Sequence, residues 1–153
     1  MLFRSQITEV NEKRPPLPTY NPATADGLYT AVIGEVKMTA GTIEKGERTG
    51  QPWLSAVIPL VIDVPQQLRD SLKLSATLIL TDRAFLDLTP AGSLDNSPGR
   101  NRRQKAYRDA TDLNKPGDVF SWRMLQGRVV KVKIDHEMYE GLPVDRVGAL
   151  LKA

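Results

Sequence analysis

The sequence contains no cysteine, which removes disulfides, thiolate metal sites and cysteine nucleophiles together. It has a single histidine, His136. Neither a Cys/His zinc site nor a Cys–His dyad can be assembled around one such ring, which is expected to pair with polar neighbours at a strand end. No run approaches the roughly 18 apolar residues that cross a bilayer, and Met1-Leu2-Phe3-Arg4 opens no signal peptide. A cytoplasmic location is therefore expected, with no membrane partner. Gly41, Gly46 and Gly50 lack the Lys-Ser/Thr of a phosphate-binding loop, so nucleotide hydrolysis has no support. The acids Asp63, Asp82, Asp87 and Asp95 offer the oxygen ligands a Mg²⁺-dependent nuclease uses, yet none falls in a catalytic spacing. On one regular strand Asp82 and Asp87 would face opposite sides. Asp87-Leu88-Thr89 and Leu94-Asp95-Asn96 read more simply as strand-end and turn acids. The expectation is a protein that is not an enzyme, with no metal and no cofactor. Internal repeats and low-complexity tracts are absent as well.

What is present points to one domain. At 153 residues, with 41% apolar and 25% charged side chains, the chain can bury a core of ordinary size. The net charge of +3 and a pI near 9.3 suit an anionic partner. That charge is unevenly spread. Between Arg100 and Lys133 lie ten Lys/Arg (Arg100, Arg102, Arg103, Lys105, Arg108, Lys115, Arg123, Arg128, Lys131, Lys133) against Asp109, Asp112 and Asp118. The stretch carries +7, so the rest of the chain sums to −4. Tyr107, Phe120 and Trp122 are interleaved with the cations. A basic block holding aromatics beside an acidic remainder is the footprint of a polyanion-binding face. The competing reading is a solvated helix followed by a loop.

The order of elements follows from periodicity and turn chemistry. Residues 1–27, with Pro15, Pro16, Pro18 and Pro22, form an extended N-terminal arm, and 28–153 the domain proper. Strands are expected at 28–38, 53–62, 75–88, 128–136 and 143–150, with a glycine-punctuated loop or hairpin tip over 39–51. A short helix is expected at 65–73 and a longer one at 101–113, closed by Asn114-Lys115-Pro116-Gly117. The longer helix has a thin apolar stripe (Ala106, Ala110, Leu113) and is expected to show most of its surface to water. The alternative is a segment that folds only on DNA.

Successive side chains on a strand point to opposite faces. Leu54, Ala56, Ile58, Leu60 and Ile62 share one parity. Leu78, Leu80, Leu86 and Leu88 share a face, as do Val130, Val132 and Ile134. In the first strand Val32, Val36 and Met38 group together, with Tyr29 and Lys37 opposite. Each strand thus has an aliphatic face and a face with rings or cations, although Ile33, Val57, Val61, Ile79 and Val129 fall on the second. The fold class expected is mainly β: a five-stranded OB-fold-like barrel with one helix before strand four. Such a barrel offers a groove where bases stack on rings and phosphates meet Lys/Arg. Tyr29, Trp53 and Phe85 are the candidate stacking residues. Lys37, Arg83, Arg128, Lys131 and Lys133 are the strand-face cations, and Arg100, Arg102, Arg103, Lys105, Tyr107 and Arg108 the helix contribution. Core packing competes for each ring, and Trp122, between Phe120 and Met124, reads as structural.

Several short segments carry a resemblance. These are Gly46-Glu47-Arg48-Thr49-Gly50-Gln51-Pro52-Trp53-Leu54, Phe85-Leu86-Asp87-Leu88, Gly92-Ser93-Leu94-Asp95, Gly99-Arg100-Asn101-Arg102, Pro116-Gly117 with Phe120-Ser121, Met124-Leu125-Gln126-Gly127-Arg128, and His136 with Tyr139-Glu140-Gly141. Across about residues 26–150 the chain resembles a phage-encoded family found in replication and recombination gene blocks, similar to phage single-stranded DNA-binding proteins with OB-like folds. The resemblance implies sequence-independent coating of single-stranded DNA, with replication or recombination proteins as further partners. Many such proteins end in an acidic recruiting tail, whereas this chain ends Val147-Gly148-Ala149-Leu150-Leu151-Lys152-Ala153, so recruitment through a tail is not expected. An exposed strand edge or the Pro-rich arm offers a route to a homodimer. The alternative function is a protein-interaction or inhibitor module acting on a nucleic-acid enzyme, without direct DNA binding.

Overall fold

The run Pro52–Asp63 becomes the strand on which the others are assembled. A computed structural model describes residues 14–153, so residues 1–13 of the expected arm lie outside the described residues. Six strands form one open antiparallel sheet: β1 (Leu28–Ile33), β2 (Lys37–Thr42), β3 (Pro52–Asp63), β4 (Thr77–Phe85), β5 (Val129–Tyr139) and β6 (Leu142–Lys152). Helix α1 (Gln66–Leu72) joins β3 to β4. Helix α2 (Arg102–Ala110) and a 3₁₀ turn (Trp122–Leu125) lie between β4 and β5. One edge of β3 is shared by β1 and β2, and the other is taken by β4. β1 also pairs with β5, and β5 with β6.

The expected first strand, 28–38, is two strands. Ile33 pairs with Leu60 and Lys37 with Val57, so three residues on one side face two on the other. This one-residue bulge bends the chain where Gly34 N–H donates to Pro59 O at 2.8 Å. A Cβ at position 34 would lie 2.9 Å from the Pro59 ring, so glycine permits the approach. The bulge also corrects the expected parity. Tyr29, Ala31 and Ile33 are buried and Val32 is exposed opposite Val61, whereas Met38, beyond the bulge, stands opposite the buried Ala56, because alternation counted across the bulge changes face.

The other strands sort as their periodicity requires. Ala56, Ile58, Leu60 and Ile62 are fully buried, as are Val130 and Val132, with Ile134 and Leu80 nearly so. α2 contributes Tyr107 and Ala110 to the same core, and the 3₁₀ turn contributes Leu125. No helix among the described residues is long and apolar enough to cross a membrane.

The expected closed five-stranded barrel is not formed. β4 and β6 approach one another, but no ladder joins them. α2 packs against both strands and its side chains bridge the seam. Arg103 Nη2 donates to Val147 O of β6 at 3.3 Å, and its Nε lies 3.6 Å from the Asp82 carboxylate of β4. Tyr107 Oη donates to the same carboxylate at 2.7 Å.

Residues 14–27 carry no helix or strand, yet they are pinned to the β5–β6 ribbon. Leu17 is 0% exposed and joins the core. Its N–H donates to Asp145 Oδ1 at 2.9 Å, and its carbonyl lies 2.7 Å from His136 Nε2. Arg14 pairs with Asp145 at 2.6 Å. Tyr20 N–H donates to Ile134 O and Ile134 N–H to Gly27 O. Leu17→Ala is expected to cost about 2–5 kcal/mol, the range for truncating a buried leucine. Chemical denaturation checks this, and an unchanged midpoint would show that the arm does not belong to the folding unit.

Candidate nucleic-acid interface

Opposed residues of an antiparallel ladder carry their side chains on the same face. On the outer face of β2–β3–β4 this produces three rows: Lys37–Val57–Arg83, Thr39–Ser55–Phe85 and Gly41–Trp53. Trp53 lies across the backbone of Gly41, where a Cβ would fall 2.6 Å from its indole atoms. Phe85 meets Trp53 edge-to-face, with centroids 5.9 Å apart and planes at 64°. Arg83 Cζ lies 5.7 Å from the Phe85 centroid. Thr39 and Ser55 share a 2.7 Å hydroxyl hydrogen bond. Phe85, the last residue of the edge strand β4, is 60% exposed.

The β2–β3 loop rises beside these rings. Ile43 and Gln51 continue the pairing, with Ile43 N–H to Gln51 O at 2.9 Å and Gly50 N–H to Ile43 O at 2.8 Å. A cleft of about 730 Å³ lies between this loop and the sheet, lined by Lys45 and Arg48 from the loop and by Trp53, Arg83 and Phe85. Glu44 and Asp87 line it too. Asp87 is tied to Asn101, whose N–H donates to Asp87 Oδ2 at 2.6 Å. Sequence reasoning read the segment as a loop or hairpin tip but gave it no contact residues, and so missed Lys45 and Arg48. The signal was the glycine pair Gly46 and Gly50, which closes a short hairpin whose tip carries Lys45 and Arg48 beside Glu44 and Glu47.

The predicted cations are not all brought together. Arg83 lines the cleft, and Lys37 stands outside it, opposite Val57 in the same row as Arg83. Lys131 and Lys133 lie on the outer face of β5, opposite Thr30 and Leu28 of β1. The helix set is elsewhere and largely engaged. Arg100 is 3.9 Å from Asp95, Arg102 Nε donates to Gly99 O, Arg103 bridges the β4–β6 seam, and Lys105 is 2.6 Å from Asp109. Arg108 Nε donates to Leu113 O while its guanidinium covers Phe120 at 4.8 Å. Arg128 is exposed, its Nε 3.4 Å from Met124 O. Lys105 and Asn114 hold the Asp109 carboxyl below its usual range.

Two predicted contact residues are corrected. Tyr29 belongs to the core, 4% exposed, and its pKa is pushed up to about 12 by burial, with Asp145 and Asp26 adding to the effect. Its face was misjudged because of the bulge. Tyr107 is fully buried against Asp82 and lies edge-on to Trp122 at 6.2 Å. The thin stripe of α2 left an aromatic as the only side chain large enough to seat the helix. Trp122 is half-buried against this core, as its sequence neighbours suggested. His136 sits between Leu17 O and Asp145, a polar pairing at the arm. Among the described residues, no group of three or more His, Cys, Asp or Glu is placed to hold a metal.

No protein-family model matches this chain, and no curated protein matches it either.

Burial raises the Tyr107 pKa far above 10, and the Asp82 carboxylate raises it further. In the unfolded chain the phenol ionises near 10. Its contribution to stability is therefore complete below about pH 10 and is lost as pH rises beyond it, because only the unfolded state then releases the proton. Tyr107→Phe is expected to cost about 1–3 kcal/mol at neutral pH, by leaving Asp82 short of a donor, and to flatten the alkaline decline. Denaturation series at neutral and alkaline pH measure both. An alkaline slope identical to wild type would place the hydroxyl in water.

Proposed function

We propose that this protein binds single-stranded DNA without sequence preference and performs no chemistry on it. The observation that carries this reading is the Trp53–Phe85 pair, held on an open sheet face with Arg83 against one ring, Lys45 and Arg48 lining the same cleft and Lys37 one ladder row away. Every base has a π-face, so stacking on such rings is tolerant of sequence and contributes about 1–3 kcal/mol per base. A cationic border captures phosphates and makes the affinity salt-dependent. Thr39 and Ser55 bond to one another, which leaves the rings and cations as the main recognition chemistry.

The element order supports an OB-like classification. If β1 and β2 are counted as one bent strand, five strands remain, with α2 between the third and the fourth and the last returning toward the third. In that architecture the outer face of the second and third strands binds oligonucleotides, and here that face carries Trp53, Arg83 and Phe85. A place in phage DNA replication or recombination rests on the sequence resemblance to the phage family.

One observation favours the second reading, a protein-interaction module. The β5–β6 turn exposes Met138 (66%), Tyr139 and Leu142 at the tip of a ribbon, a composition suited to a protein partner.

Fluorescence anisotropy with labelled single-stranded DNA, single-stranded RNA and duplex DNA tests the proposal. Tight binding to single strands, weaker binding to duplex and a salt slope of about −3, for roughly four neutralised phosphates, are expected. Trp53→Ala with Phe85→Ala is expected to weaken binding at least tenfold, two stacked bases being at stake, while the unfolding midpoint changes little. Absence of binding to every probe at low salt overturns the proposal and favours the ribbon-tip reading. Unfolding of the double variant would show that the rings hold the fold.

A further inference from the structure

We infer that the binding path does not end at the Trp53–Phe85 cleft but crosses the sheet to a second stacking station, supplied by Tyr20 of the N-terminal arm with Lys131 and Lys133. The inference rests on the single-strand reading above and extends it to a site that lies outside the cleft.

Three observations carry it. First, Lys133 Nζ stands 4.4 Å from the Tyr20 ring centroid, so the arm repeats at one end of the face the ring-and-cation pairing that Phe85 and Arg83 make at the other. Tyr20 is held there by its N–H bond to Ile134 O and by the burial of Leu17 three residues earlier. Lys131 and Lys133 alternate with the buried Val130, Val132 and Ile134, so both point outward beside it.

Second, the face between the two stations is apolar and uncovered. The ladder places Ile79, Val61, Val32 and Val129 in one row across β4, β3, β1 and β5. Ile79 is 67% exposed, and Val32 and Val129 are exposed as well. Solvent-facing rows of a sheet are ordinarily polar. Four aliphatic side chains bracketed by cations on both sides suit a ligand that alternates flat apolar surface with negative charge.

Third, the charge on this face is complementary to such a ligand. Two acids at its borders are paired, Asp63 with Arg69 at 3.4 Å and Asp135 with Arg146 at 3.7 Å. Lys37 and Arg83 stand at one end of the row and Lys131 and Lys133 at the other, with Glu35 exposed in the bulge between β1 and β2. From Gly41, opposite Trp53, to Leu28, opposite Lys133, the chain advances thirteen residues. At about 3.3 Å each this is at most about 43 Å, a length suited to the upper part of the roughly 4–16 nucleotides that one such domain covers.

Oligothymidylates of two lengths decide the matter. Against one of about five nucleotides, Tyr20→Ala is expected to bind as wild type does; against one of about fifteen, it is expected to bind roughly tenfold more weakly, with Tyr20→Phe restoring the affinity. Lys131→Gln with Lys133→Gln, which alters only outward-facing side chains, is expected to show the same length dependence and a shallower salt slope. This pair carries the test should Tyr20→Ala loosen the arm. Equal affinity of wild type and the lysine pair for the longer strand, with the cleft still binding the shorter one, overturns the second station alone. Failure of wild type to bind either length overturns the single-strand reading and this extension with it.

Discussion

The layout depends on the contact between Gly34 and Pro59. One extra residue in the first strand lets the chain turn across a single long partner, so that β3 supports β1, β2 and β4 together. β1 pairs with β3 along one edge and with β5 along the other, Ala31 and Val32 in both ladders, and so attaches the β5–β6 ribbon to the sheet. Ile33 marks the transfer. Its N–H donates to Arg128 O and its carbonyl accepts from Gly127, while Gly34 still bonds to Pro59. The bend also selects which side chains reach water, because alternation restarts on its far side. Lys37, Thr39 and Gly41 therefore share a face with Trp53 and Phe85, and Tyr29 is turned into the core.

The seam between β4 and β6 is held by side chains where a barrel would use a ladder. Arg103, Asp82 and Tyr107 form a partly desolvated cluster reaching from α2 to both strands. A cluster of this kind is not a large source of stability, since desolvation offsets much of the ionic attraction. Its weight lies in specificity, because any arrangement that withdraws α2 leaves the Asp82 carboxylate without its donors. The same economy governs the rest of the basic block. Cations that looked like a continuous positive flank are divided between internal pairs around α2 and free positions on β5. The sheet face draws its other cations from Lys37, Lys45, Arg48 and Arg83.

Much of the fold was legible because strand alternation and helix punctuation are local. The parity of Leu54–Ile62 and Val130–Ile134 placed both strands' inner faces correctly, and Asn114-Lys115-Pro116-Gly117 bounded α2 to within a few residues. The candidate rings divided according to context. Trp53 and Phe85 remained on the outer face because β3 and β4 pair in unbroken register. Tyr29 did not, because a bulge intervenes between it and Lys37. Tyr107 had no local signal of burial, its neighbours Arg103 and Arg108 being cationic. Lys45 and Arg48 were passed over because a loop's cations acquire meaning only from the strands beside which it folds.

The amino-acid sequence by itself determined the β-rich class, the order of the elements, the inner faces of the regular strands and the excess of positive charge, all of which follow from nearest neighbours along the backbone. The tertiary structure decided which cations stay free, which rings face water, and that an irregular Pro-rich arm would bring Tyr20 against Lys133. Those outcomes depend on pairings between residues far apart in the chain. Their register is set by a single inserted residue and by side chains, such as Arg103 and Leu17, whose partners lie on distant strands.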